Sequence, residues 1–95
     1  MMRLVWTPPA VGDLEAIDDY WSGYAADSAE QVAVKIESAA AFLVDVPKAG
    51  SPLENGQGRK WRVAATPYLL VYRVLADRVE ILRVYHERMN WREDS

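Results

Sequence analysis

His86 is the only imidazole in the chain, and an unperturbed histidine, titrating at about pH 6.5, suits acid/base work. It stands between Tyr85 and Arg88 near the end of an apolar run. Arginines recur at positions 62, 73, 83 and 88. Guanidinium groups match phosphate and carboxylate oxygens in pairs, so Arg62, Arg73 and Arg83 could line an anion-binding face. Each residue also has a structural reading. His86 can bond backbone at a strand end, and Arg73 can pair with Glu80 across a hairpin, worth about 0.2–1 kcal/mol. Arg62 has no acidic neighbour close in sequence, which makes it the better candidate for contact with a partner.

Other chemistries lack their residues. Without cysteine there is no thiol nucleophile, no disulfide and no Cys-based metal site. One histidine cannot found a structural zinc site. Asp13, Asp18 and Asp19 fall on a helix, pointing in different directions, without the loop geometry of a calcium site. We therefore expect neither metal nor cofactor. Trp6, Trp21 and Trp61 read as core or interface anchors, and Trp91 as an anchor for a partner or target.

The element that must position most of these residues is a hairpin. Tyr68–Leu75 and Arg78–Arg88 flank the short break Ala76-Asp77. Neither face of it is polar: Leu69, Val71, Arg73 and Leu75 alternate with Tyr68, Leu70, Tyr72 and Val74. A sheet with one wet face should alternate apolar with polar, so this one is expected to be covered on both sides. A two-residue turn pairs Arg73 with Glu80; a three-residue turn brings Arg73, Arg83 and Tyr85 to one face. The sequence leaves both registers open.

The rest supplies one cover. Arg3–Trp6 is a short strand, and Thr7 followed by Pro8 caps and starts a helix. Ala10, Leu14, Ile17, Trp21 and Tyr24 form its apolar stripe, and it ends near 22–26. Ser28 with Gln31 reads as the capping box of a second helix, whose stripe is Ala29, Val32, Ile36, Ala39 or Ala40, and Leu43. Residues 47–58, with three glycines and two prolines, read as a connection. Lys60–Ala64 is a strand and 89–95 a tail. The order β-α-α-β-β-β predicts one α+β domain over residues 1–95, a helical hairpin on one face of a small, mainly antiparallel sheet. The other face would carry apolar residues with arginines among them, as a binding surface does.

The net charge of −3 hides a split: residues 1–58 sum to −6 and residues 59–95 to +3. The basic part coincides with the sheet and tail, which suits an anionic partner there. No signal-peptide core or membrane-length run is present, so a cytoplasmic protein without a membrane partner is expected.

Taken together, Trp6-Thr7-Pro8 with Ala10, Asp13-Leu14, Ile17, Tyr20, Leu43, Pro47, Gly50, Arg62-Val63, Tyr68, Tyr72-Arg73-Val74, Ile81–Val84 and His86 with Arg88 resemble the RelE/ParE superfamily of type II toxin–antitoxin toxins. The resemblance covers nearly the whole chain. It implies the same helical hairpin on a small sheet, and neutralisation by a cognate antitoxin whose disordered segment folds around the toxin. DNA would be met only indirectly, through the toxin–antitoxin complex.

The superfamily has two branches. One cleaves mRNA in the ribosome by attack of the 2′-hydroxyl, using clustered Arg and Lys, often with Glu, His or Tyr. The other traps DNA gyrase on cleaved DNA and has no known chemistry of its own. Leu69 stands where the ribonucleases often carry Arg, Lys48 and Lys60 are the only lysines near the sheet, and His86-Glu87-Arg88 resembles a shortened form of the gyrase-branch ending, with Asn90 where Asp is frequent. The resemblance thus implies a ParE-like gyrase inhibitor, with Arg62, Leu69, Val71, Arg73, Arg83, Tyr85, His86, Arg88 and Trp91 binding target or antitoxin. The rivals are a ribosome-dependent mRNA endoribonuclease using Arg62, Arg73, His86 and Arg88, and a non-toxic relic that keeps only antitoxin binding.

Overall fold

The computed structural model describes residues 2–88. Seven elements follow one another: β1 (Arg3–Trp6), α1 (Pro8–Ser22), α2 (Ala26–Asp45), β2 (Ser51–Pro52), β3 (Arg59–Arg62), β4 (Tyr68–Val74) and β5 (Arg78–His86). The two helices form one layer and the strands the other, an α+β fold with a mixed five-stranded sheet.

Pro8 and Pro9 start α1, where a missing N–H costs nothing. Thr7 is its N-cap residue but makes no side-chain cap bond. Its hydroxyl instead donates to the carbonyl of Ile81 at 2.8 Å and lies 3.2 Å from that of Leu82. The predicted stripe of α1 packs inward through Ala10, Leu14, Ile17 and Trp21, whereas Tyr24 lies beyond the helix end and is 70% exposed. The second helix begins before the expected capping box. Ala25 is the N-cap, and its carbonyl takes the first bonds from Ser28 and Ala29, so Ser28 lies within the first turn. Ala29, Ile36, Ala40 and Leu43 are the buried face of α2, as its spacing predicts.

The sheet order is β1-β5-β4-β3-β2, with β1 parallel to β5 and the other pairs antiparallel. Tyr68, Leu70, Tyr72, Val79, Ile81 and Val84 meet the helices and form one core with Ile36 and Leu43. Truncating a residue such as Ile36 to alanine would cost about 2–5 kcal/mol. The hairpin register resolves both alternatives left by the sequence. Near the turn Arg73 faces Glu80, but further on Tyr72 faces Ile81 while Val71 faces Arg83, leaving Leu82 as an extra residue. That bulge is the point at which Thr7 docks.

The loop 47–58 is more than a connection, since it contributes the edge strand β2. Tyr72 pins it: the fully buried phenol accepts the Gly50 N–H at 2.9 Å and donates to the Pro47 carbonyl at 2.8 Å. A Cβ at Gly50 would lie 2.5 Å from the Lys60 carbonyl and 2.6 Å from the Tyr72 hydroxyl, so only glycine fits.

Candidate functional site

The register puts Arg62, Leu69, Val71, Arg73, Arg83 and Tyr85 on the outer face of the sheet. Leu69 lies between Arg62 and Tyr85, and Val71 between Lys60 and Arg83. Among the described residues no helix covers this face, yet Leu69 and Val71 are each only 8% exposed. Long side chains on both flanking strands can lay their aliphatic stems beside them. The expected bare apolar flank is therefore corrected: a partner meets arginine, lysine and tyrosine first. The large exposed apolar residues sit on the helical layer and its flanks, among them Val11, Tyr20, Val34 and Phe42.

Carboxylates accompany the guanidinium groups. Arg62 pairs with Glu87 at 3.1 Å, Arg73 with Glu80 at 2.6 Å, and Arg78 with the other Glu80 oxygen at 2.8 Å. Hydrogen bonds from Arg78 and then Arg73 hold the Glu80 carboxyl below its usual range. Arg83 bonds both oxygens of Asp13 and stacks over the Tyr85 ring at 4.9 Å. The Asp13 hydrogen bond raises its pKa further.

His86 is elsewhere. It faces the helical side opposite Tyr68, its ring edge-on to that phenol at 5.6 Å, and its Nδ1 accepts the Arg88 N–H at 3.1 Å. With Ile17, Trp21, Pro67 and Tyr68 it lines an apolar groove of about 460 Å³. The Trp21 indole donates to the Tyr68 hydroxyl at 2.8 Å, tying the two walls together. Residue spacing does not announce this groove; the adjacent aromatics Tyr20 and Trp21, which both line it, are its signal in the sequence. Arg88 is exposed beyond β5, and Trp91 lies outside the described residues.

Of the residues of the ribonuclease alternative, Arg62, Arg73 and His86 do not converge on one point. Arg62 and Arg73 are roughly 13 Å apart along the sheet, from the strand rise and register, and His86 is on its other side. Among the described residues no group of three His, Asp or Glu could hold a metal ion: Asp13 is engaged by Arg83, and Asp18 and Asp19 line a different groove. Among the described residues no helix is long and apolar enough to cross a membrane.

The helical hairpin on a mixed five-stranded sheet is the fold that the resemblance implies, and comparison with known proteins agrees. Residues 4–91 match the family described as ParE toxin of type II toxin-antitoxin system, parDE. The chain is 34% identical over 89 residues to "Putative toxin Y4kP" of Sinorhizobium fredii (strain NBRC 101917 / NGR234), covering 94% of this chain and 92% of the relative. It is 34% identical over 86 residues to "Toxin RelE2" of Caulobacter vibrioides (strain ATCC 19089 / CIP 103742 / CB 15), covering 90% and 96%. A solved structure described as "Chromosomal ParDE TA system from P. aeruginosa" superposes with a TM-score of 0.79 at 27% identity, covering 90% of this chain and 96% of that one. The chain belongs to the ParE toxin family of type II toxin–antitoxin systems.

Proposed function

We propose that this toxin inhibits DNA gyrase by a protein–protein contact, without chemistry of its own, and is silenced in the cytoplasm by a cognate antitoxin. One observation carries the reading. The groups a ribonuclease of this shape would bring to one scissile phosphate are dispersed over two faces, and Arg62 and Arg73 already hold carboxylates. In-line cleavage needs base, acid and cation within hydrogen-bond reach of one substrate. A protein interface has no such requirement, and the outer face offers what interfaces favour, arginine and tyrosine around a small apolar centre. The antitoxin half of the proposal is supported by the family match and by the ParDE title of the structural neighbour.

The rival reading, an mRNA endoribonuclease, draws support from Lys60, Arg62, Arg83 and Tyr85 sharing that face. Expression of the chain without its antitoxin separates the two. The proposal expects growth arrest with double-strand breaks, an induced SOS response and intact transcripts. Truncated transcripts without an SOS response would overturn it in favour of the ribonuclease, and no growth defect at all would favour the relic.

A further inference from the structure

We infer that the concavity where the 47–58 loop meets the β4–β5 hairpin holds a nucleotide by its phosphate. The site goes beyond the gyrase reading and lies at the end of the sheet away from Arg62 and Tyr85. Lys48, Arg59 and Arg73 line it, and no carboxylate does. Of the other grooves, the one beside His86 includes Asp13, that between the helices Glu15 and Glu37, and that beside Trp61 Glu87. The charge is also uncompensated. Lys48 makes no side-chain hydrogen bond or salt bridge among the described residues. Arg59 makes no salt bridge there either. Its Nη1 donates to the carbonyls of Gly50 at 2.6 Å and Lys48 at 3.4 Å, which fixes the guanidinium plane and leaves Nε and Nη2 to a ligand. Arg73 shares Glu80 with Arg78, and Arg78 and Arg3 share Asp77, so three arginines on two carboxylates keep a charge of +1.

The walls are set before any ligand arrives. The Tyr72 hydroxyl binds the loop at Pro47 and at Gly50, on either side of Lys48. Gly58 lies so close to β4 that a Cβ would come within 2.7 Å of the Tyr72 carbonyl. Gly56 and Gly58 both take positive φ, 74° and 149°, and Gln57 between them enters the wall. Cations held in place in this way save the cost of ordering them on binding. Size and chemistry then choose the ligand. The volume of about 830 Å³ is that of a small-ligand site, and one phosphate would leave most of it empty. Val74, Leu75 and Leu82 give an apolar side for a sugar or base, and the Gln57 amide both donates and accepts. Clustered phosphate oxygens match guanidinium forks in pairs, whereas an acidic peptide spreads its carboxylates along an extended chain.

The test is NMR titration of the isotope-labelled full chain with ADP, with a short single-stranded DNA and with a poly-glutamate peptide. The amides of Gly56, Gln57 and Gly58 should shift saturably with a phosphate ligand. A response to ADP marks a free nucleotide as the source, and a response to the DNA alone marks a strand. Lys48→Glu and, separately, Gln57→Glu should weaken that binding about tenfold or more while keeping a native circular-dichroism spectrum. Lys35→Glu, the same charge reversal on α2 outside the pocket, should leave it near wild type. No saturable shift with either phosphate ligand would overturn the site, as would shifts centred instead on Lys60 and Arg62. So would an equal loss in Lys35→Glu, or poly-glutamate binding as tightly as the phosphate ligand. None of these outcomes touches the gyrase proposal, which the expression experiment decides.

Discussion

Asp13 on α1 grips Arg83 on β5 through both carboxylate oxygens, at 2.8 and 2.9 Å, and its Oδ2 also accepts the Val84 N–H at 2.9 Å. The parallel partner β1 flanks β5 only as far as Ile81. Beyond that point the backbone of β5 would present an open edge, and a side chain from α1 supplies the acceptor that a strand would have given.

Asp13→Ala removes that acceptor and leaves both Arg83 and the Val84 N–H short of a partner. Asp13 is mostly covered, but Arg83 is 41% exposed, so solvent screening reduces the loss to about 1–3 kcal/mol. Asp13→Asn, which keeps an oxygen for Val84, should lose less. Urea denaturation checks the order; an Asp13→Ala loss below about 0.5 kcal/mol would contradict the assigned role.

Acid should attack the hairpin turn. Arg78, then Arg73, depress the Glu80 pKa, and a hydrogen bond from Arg78 depresses that of Asp77. Both carboxyls hold protons more weakly folded than unfolded, so their contribution is complete above the usual carboxylate range and is lost as pH falls through the depressed values. Melting temperature should stay flat from neutral pH down to about 5 and then decline. In Glu80→Gln that acid limb should be shallower; an unaltered limb would mean that other carboxylates dominate.

Tyr72→Phe deletes one hydroxyl that serves two backbone groups, the Gly50 N–H and the Pro47 carbonyl. A buried donor left unsatisfied costs about 1–3 kcal/mol, and the Gly50 amide should lose protection from hydrogen exchange before the core does. Burial raises the Tyr72 pKa, so its stabilisation is present below the ordinary tyrosine range and fades as pH rises through the raised value. The variant should lack that alkaline component.

His86→Gln tests the division between the two faces of the sheet. If His86 serves only to pack against Tyr68 on the helical side, growth arrest after expression of the variant should match wild type. Abolished arrest with an unchanged circular-dichroism spectrum would assign His86 a part in toxicity.

The periodic signals were the legible ones. The α2 stripe Ala29, Ile36, Ala40, Leu43 is buried where its spacing puts it, because a face that must be covered writes itself every three to four residues. Local chemistry misled where a distant group competed. Thr7 looks like a helix cap, but its hydroxyl is taken by the bulge carbonyls of β5. Leu82 has no sequence mark as a bulge, since the irregularity arises where β1 and Thr7 meet β5. The arginine-dotted outer face was readable from alternation. The carboxylates of Asp13 and Glu87, which engage Arg83 and Arg62, were not: the first comes from a separate helix and the second from just past the end of the last strand.

The parallel seam between β1 and β5 has a kinetic consequence. Residues 3–6 cannot settle until residues 78–81 exist to receive them, and at about 5–20 residues per second a ribosome takes roughly 4–15 s to span that interval. Long-range pairing of this kind also closes slowly. Each newly made toxin thus passes its synthesis without a finished sheet, and so without the outer face that the sheet carries.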